Sequence, residues 1–299
     1  MDQLPSRRLL LVHAHPDDET INNGATMAGY IAAGAVVTLV TCTRGEEGEV
    51  LVPDLAHLSS SRQDTLGAHR EVELAAAMHE LGVSDFLFLG APDLQYRDSG
   101  MMDTPPNENA ASFWKAGLDE ASAKLVRIIR DRKPQVLITY DEFGGYGHPD
   151  HIKAHRVAMR AAELAADPSF GEGEPWEISK IYWSAVPRSA LHGSLTSSNP
   201  FLQILIKFFN YVPSTWLALP FVKADDVVTT KYEGERYLSQ KLAALKSHKT
   251  QLIIHGDLFT FTKRLSTRIG GAEYYVRVKG EASAPFDESG RELDLFAGV

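Results

Sequence analysis

The run Leu9-Leu10-Leu11-Val12 is apolar at every position and stops at His13-Ala14-His15-Pro16-Asp17-Asp18-Glu19. A strand with one wetted face alternates polar and apolar residues, whereas an unbroken apolar run suits a parallel sheet covered on both faces. Ligands of open parallel sheets gather outside the carboxyl ends of the strands. Two histidines and three acids within seven residues at that place are a denser titratable cluster than a structural turn requires.

The rest of the chain alternates accordingly. A strand over residues 7–13 leads to a helix over 20–34, with Ala25, Met27, Ala28, Ile31 and Ala32 for a buried face and Gly34 at its end. A strand over 35–42 completes a right-handed parallel unit. Helices are expected over 59–81, stopped by Gly82, and over 116–132, stopped by Pro134. Strands are expected over 85–89 and 136–140. Pro149 fits the first turn of a helix running to Ala166, with His148 at or near its cap. Further strands are expected over 178–186, 227–232 and 274–278, and a helix over 237–248. The interval 199–222 is apolar, but Gln203, Lys207, Asn210, Pro213 and Pro220 interrupt it. It reads as a packing helix or a lid, since a membrane span needs about twenty mostly apolar residues.

Composition narrows the function classes. A length of 299 residues fits one large α/β domain or two small ones. A formal charge of −9 argues against a nucleic-acid partner and favours a small neutral or polar substrate. The lone Cys42, in an apolar strand, reads as packing. The loop at 43–49 is glycine-rich and acidic, so it is no phosphate cradle; its three glutamates read either as a solvated loop or as part of a site. The Pro-, Asp- and Gly-rich loop at 91–109 is long enough to form a pocket rim. The polar N-terminus and the short apolar run after it do not make a signal peptide, so a cytoplasmic location is expected. The pattern fixes no oligomeric state.

A second polar cluster, Asp141-Glu142-Phe143-Gly144-Gly145-Tyr146-Gly147-His148-Pro149-Asp150-His151, follows the strand at 136–140. Two His/Asp clusters at two strand ends of one sheet point to a metal site. Helix capping by Asp17, Asp18 or Thr20 is the alternative reading of the first cluster. A catalytic zinc takes three protein ligands and keeps one open position. His15 and Asp18, three residues apart, supply two ligands, and the third comes from His148, His151 or His155. His151, in the first helical turn, is best placed. Asp17, beside a ligand, is the candidate general base. Tyr146 and His148 are candidates to polarise a carbonyl or stabilise its oxyanion, and Asp150 to orient His148. Such a set performs hydrolysis of an amide or ester. The same donors also suit ferrous iron. His69 and His79 read as surface or packing residues.

His15-Pro16-Asp17-Asp18-Glu19 together with Gly147-His148-Pro149-Asp150-His151 resembles the LmbE-like (PIG-L) zinc-dependent de-N-acetylases. Asn23-Gly24-Ala25-Thr26, Thr41-Cys42-Thr43, Gly45-Glu46-Glu47-Gly48-Glu49-Val50, Arg97-Asp98-Ser99-Gly100-Met101, Gly144-Gly145-Tyr146-Gly147 and Glu273-Tyr274-Tyr275 are similar to the branch that deacetylates N-acetylglucosaminyl-inositol in mycothiol biosynthesis. The resemblance is dense over residues 8–165 and thin over 166–260. It implies an α/β fold, a Rossmann-like, mainly parallel sheet with helices on both faces. It divides the chain into a catalytic part, 1–185, and a smaller C-terminal portion, 186–299, that closes the pocket. It implies zinc on His15, Asp18 and His151, with Asp17 as general acid and base. Tyr146 assists at the carbonyl, His148 stabilises the oxyanion and Asp150 tunes His148. Arg70 and Asp98 hold sugar or inositol hydroxyls, and Met101 sits on a rim. The expected partner is a small amino-sugar, with neither nucleic acid nor membrane. No G-x-G-x-x-G follows the first strand, so no nucleotide cofactor is expected.

The nearest alternative is a mycothiol S-conjugate amidase with the same metal site. Gly147 and the acidic loop favour the deacetylase. Another amino-sugar deacetylase comes next, then a metal-free sugar-binding protein, for which Asp17 beside a metal has no use. A nuclease or phosphoesterase usually needs two bridged metals, and one ligand set is found.

Overall fold

The computed structural model describes residues 7–93, 95–197, 204–205, 221–255, 258–262, 265–268 and 270–299. Five strands, β1 (Arg8–His13), β2 (Val36–Thr41), β3 (Asp85–Phe88), β4 (Val136–Thr139) and β5 (Lys180–Pro187), pair parallel in the spatial order β3-β2-β1-β4-β5. After β5 come β6 (Leu195–Ser197), β7 (Val222–Lys223), which pairs parallel with the end of β5, and β8 (Thr230–Glu233). β9 (Ile253–His255), β10 (Leu258–Thr262) and β11 (Leu265–Arg268) join β6 in a separate antiparallel sheet. β12 (Ala272–Lys279) then returns to the main sheet, antiparallel between β5 and β8.

The helices α1 (Asp18–Ala32) and α2 (Leu66–Leu81) share one face of the sheet. α3 (Leu118–Arg132) and α5 (Pro149–Ala166) cover the other, and α4 (Gly144–Gly147) and α6 (Arg188–Ser194) are short connections. Helix α7 (Leu238–Ser247), from the C-terminal part, packs on α1 and α2. The unbroken run in β1 is explained by this layering. Leu9 and Leu11 point into the core beneath α1 and α2, and Leu10 and Val12 into the core beneath α3 and α5. Each side chain so buried contributes about 1.5–3 kcal/mol relative to exposure.

The expected helix at 59–81 is shorter than the sequence pattern allows. Its first seven positions form turns, with Arg62 N–H and Asp64 N–H both bonded to the Ser59 carbonyl, and α2 starts at Leu66. The serine run offers its backbone local hydrogen bonds that compete with a helix. Gly82 does end it, in the left-handed conformation at φ 75°. The strand expected at 227–232 begins only at Thr230, because Ala224–Val227 closes a turn first. Little of the small sheet built from β6 and β9–β11 was legible, since short strands carry little periodicity. The lid or packing helix expected at 199–222 lies outside the described residues, apart from 204–205 and 221–222.

The chain end is stitched onto the main sheet. Glu292 is fully buried, accepts from Lys180 Nζ at 2.7 Å and from Ser283 N–H at 2.8 Å, and also meets Arg277 and Tyr182. Leu295 and Phe296 complete the core under α1. Among the described residues no helix is long and apolar enough to cross a membrane.

Candidate active site

The chain leaves β1 toward β2 and β3 on one side, then returns to place β4 on the other. The C-terminal ends of β1 and β4 therefore flank the switch point of the sheet, where a crevice opens. The turn His15-Pro16-Asp17 rises from β1 into α1. From β4 the chain passes Asp141, whose Oδ1 accepts the Gly145 N–H at 2.8 Å, and enters α5 at Pro149. Gly144 makes this turn with φ 65°. A β-carbon there would lie 2.6 Å from the Ile152 nitrogen, so only glycine fits. His148 caps α5, its Nδ1 accepting the Asp150 N–H at 3.2 Å.

Three donor atoms meet across the crevice. His15 Nδ1 lies 3.3 Å from Asp18 Oδ2. His151 Nε2 lies 3.3 Å from the same oxygen. The two nitrogens are 3.3 Å apart. A tetrahedral ion with bonds of about 2.0–2.1 Å separates its ligands by about 3.3–3.4 Å, so this triangle is one face of such a tetrahedron. The other ring nitrogens fix the tautomers. His15 Nε2 faces Asp150 Oδ2 at 3.2 Å, and His151 Nδ1 faces the Gly144 carbonyl at 3.1 Å. With an ion bound and protons on those outer nitrogens, both inner nitrogens would turn lone pairs to it beside the carboxylate oxygen, three donors converging on one cation. Donors of His15, His148 and His151 also lie within 4.8 Å of one another, as do those of His15, Asp98 and Asp150.

The electrostatics agree with a cation site. Burial works against charge on His15, but Asp98, Asp150 and Asp18 outweigh it and hold its imidazolium well above the usual histidine range. Burial opposes the Asp18 carboxylate too, and His151 and His15 overcome it, keeping its pKa well below the usual range. His148 goes the other way: burial, with His15 and His151 nearby, pushes it down to about 2. It is a neutral imidazole whose Nδ1 is already an acceptor, so its proton is on Nε2, and no described residue accepts from that atom. Burial pushes the Asp17 carboxyl up to about 6, with the Arg70 guanidinium pulling against it.

The remaining candidates fall in different places. Asp17 is the N-cap residue of α1, yet its side chain makes no cap bond; the capping alternative does not describe it. Its Oδ2 lies 3.2 Å from an Arg70 nitrogen. Arg70 is buried and also donates to the Pro16 and Gly45 carbonyls. Asp98 is buried with Oδ1 3.5 Å from His15 Nε2, accepting N–H groups of Gly100 and Glu47. Met101 and Tyr146 are about half exposed, and the Tyr146 ring meets His151 edge-on at 4.9 Å. The expectation that the Asp150 carboxylate orients His148 meets a different geometry: it is the Asp150 backbone N–H that bonds His148, while the carboxylate serves His15 and Ser99. The carboxylate projects from the first turn of α5 toward β1, and so reaches the neighbouring strand's histidine. His155 bonds the Tyr140 carbonyl and packs on Trp183, away from the triangle. Of the acidic loop, Glu46 is buried and accepts the Asp98 N–H at 3.0 Å, Glu47 pairs with Arg97, and only Glu49 is exposed. Cys42 is buried in the core.

Two contributors went unread in the sequence. Ser99 donates to both Asp150 oxygens, through N–H and hydroxyl. Tyr140 stacks on His151 at 4.3 Å and its hydroxyl accepts the Ala14 N–H. Ser99 has a weak signal in its place between Asp98 and Gly100; Tyr140 looks like the last residue of an apolar strand.

A Rossmann-like sheet thus carries at its switch point a histidine–carboxylate donor triangle able to hold a metal ion, with the Arg70-paired Asp17 carboxylate beside it. Residues 10–162 match the PIG-L family, described as GlcNAc-PI de-N-acetylase, and the chain belongs to this family of amide-cleaving enzymes. It is 52% identical over 302 residues to the 1D-myo-inositol 2-acetamido-2-deoxy-alpha-D-glucopyranoside deacetylase of Streptomyces avermitilis, spanning 100% of this chain and 99% of that one. Among solved structures, N,N'-diacetylchitobiose deacetylase from Pyrococcus horikoshii superposes with a TM-score of 0.55 at 19% identity, over 84% of this chain and 72% of that one. The 4-carboxy-2-hydroxymuconate hydratase of Pseudomonas putida superposes with a TM-score of 0.58 at 16% identity, over 94% and 100%. These two share the fold alone, and a hydratase among them shows that the chemistry has to be read from the site.

Proposed function

We propose that this chain removes the acetyl group from 1D-myo-inositol 2-acetamido-2-deoxy-alpha-D-glucopyranoside, the step that yields the free amine in mycothiol biosynthesis. The observation that carries the substrate is the end-to-end match to the Streptomyces relative. The chemistry rests on the donor triangle with Asp17 beside it.

His15, Asp18 and His151 would hold the ion, with zinc the first choice for two imidazoles and a carboxylate and ferrous iron the second. Such an ion supplies Lewis acidity, polarising an acyl oxygen and bringing the pKa of water toward neutrality. Asp17 takes a proton from the attacking water. Because its pKa lies near 6, it is ionised at neutral pH yet basic enough to accept. The water oxygen bonds to the acetyl carbon and the carbonyl electrons move to oxygen. His148, neutral and protonated on Nε2, donates to that developing charge, with Tyr146 assisting from the rim. Asp17 then returns the proton to nitrogen as the carbon–nitrogen bond breaks, leaving acetate and an amine. Asp150 fixes the His15 ring and, through its backbone, the His148 tautomer. Arg70 and Asp98 from the inner wall and Met101 from the rim form the sugar end, and residues 186–299 shape the pocket around the inositol. The enzyme works in the cytoplasm on a small amino-sugar.

The test is amine release by the zinc-loaded protein from N-acetylglucosaminyl-inositol, a mycothiol S-conjugate and plain N-acetylglucosamine. A strong preference for the first is expected. Preference for the conjugate would make the protein an amidase of that thiol.

A further inference from the structure

Of the three acids in the first cluster, Glu19 has no part in the scheme above, and neither does His248. Both side chains are fully buried, and they meet: His248 Nε2 lies 3.1 Å from Glu19 Oε1. The same oxygen accepts the Thr20 hydroxyl at 2.6 Å. The second oxygen, Oε2, accepts the backbone N–H of Asp17 at 2.9 Å. That backbone is strained, with φ 112° and ψ −33° at a residue that carries a β-carbon. Such a conformation persists only where neighbours over-determine it.

We propose that His248 is a positioning residue for Asp17, acting through Glu19, so that the C-terminal portion of the chain aims the general base. A glutamate has two oxygens and a flexible stem. It can hold the Asp17 N–H at a set angle only if its other oxygen is also held, and His248 and Thr20 hold it. His248 is 229 residues away in sequence and arrives on the turn that ends α7. That turn is itself moored. Thr250 N–H and hydroxyl both donate to Glu73 of α2 at 2.8 Å, and its carbonyl accepts the Leu51 N–H at 2.8 Å. Arg70 completes the arrangement from the other side of Asp17, on the Pro16 carbonyl and Asp17 Oδ2. His248 Nδ1 is buried without a hydrogen-bond partner. The ring is therefore committed to its one contact with Glu19.

This inference rests on the reading of Asp17 as the base, and the experiment separates the two. Asp17→Asn, His248→Ala, His248→Gln and Thr250→Val are each measured for kcat and KM on N-acetylglucosaminyl-inositol, bound zinc, and thermal stability. His248→Ala is expected to keep its zinc and its KM while kcat falls by about 10- to 100-fold, the scale of a base displaced by a fraction of an ångström to one ångström. His248→Gln, whose amide can donate to Glu19, should recover most of that loss. Thr250→Val, which loosens the mooring of that turn, should lose stability and lower kcat less than His248→Ala does. If His248→Ala does not fold, Glu19→Gln, which keeps the volume but offers a single acceptor, should give the same fall in kcat with zinc retained. Wild-type kcat in folded His248→Ala beside an inactive Asp17→Asn would overturn the positioning role alone. So would loss of zinc in His248→Ala. An active Asp17→Asn would overturn the base assignment itself.

Discussion

His15 Nδ1 and His151 Nε2 stand 3.3 Å apart although 136 positions separate them in the chain. Each is turned inward because its outer nitrogen is tied, His15 to Asp150 and His151 to the Gly144 carbonyl. Asp18 Oδ2 is equidistant from both at 3.3 Å. Facing lone pairs would repel; a bound cation relieves this, and without one the proton held on His15 does so.

Metal binding should therefore fail in graded ways. His15→Ala removes a donor and is expected to abolish stoichiometric zinc. Gly144→Ala removes no donor, but its β-carbon would press on His151 Cβ and the Ile152 nitrogen at 2.6 Å. It should weaken zinc by roughly 10- to 100-fold, as loss of ligand support does. Metal content after dialysis against a chelator reads both. Full zinc retention in Gly144→Ala would show that this turn does not orient His151.

Asp17→Asn should keep zinc and lose about two to four orders of magnitude in kcat, the range of a general base. It should also stabilise the metal-free protein at neutral pH. The pKa of Asp17 is raised from 3.8 to about 6, so ionising it in the folded state is costly, by at most roughly 3 kcal/mol. That cost is present above pH 6 and disappears as pH falls toward 4. The stability gain of Asp17→Asn should therefore be largest near pH 7–8 and shrink on acidification. Chemical denaturation at several pH values measures it; a pH-independent difference would count against a buried ionised Asp17.

Activity should fall on the acid side as Asp17 takes a proton, with the limb of kcat/KM below pH 6 in the zinc-loaded free enzyme, since the ion's charge draws the Asp17 pKa down from about 6 in the metal-free protein. Arg70→Met should move that limb upward, since Arg70 is the cation that favours the Asp17 carboxylate. A limb that stays in place while only KM rises would assign Arg70 to substrate alone.

Glu292→Gln tests the seam between the chain end and the main sheet. It leaves Lys180 buried without its carboxylate partner, which was 2.7 Å away. Breaking one member of a buried pair costs about 3–5 kcal/mol. The denaturation midpoint should drop accordingly with kcat unchanged in the protein that remains folded.

Much of the site was legible because it is local. His15, Pro16, Asp17 and Asp18 are contiguous, as are His148 to His151, and an apolar run before each cluster places it at a strand end. The layering of helices followed from residues that are apolar without alternation. What the sequence alone determined, then, is that a parallel sheet carries two polar strand tips whose histidines and carboxylates can serve as metal donors. Tertiary structure decided which tips are neighbours, by setting β4 beside β1 at the switch point. It also decided what each polar group serves: Asp150 turns to His15 rather than His148, Arg70 to Asp17, and His248 reaches Glu19 from the far end of the chain. Such pairings depend on the directions in which side chains leave distant elements, and no spacing along one strand or helix encodes those directions.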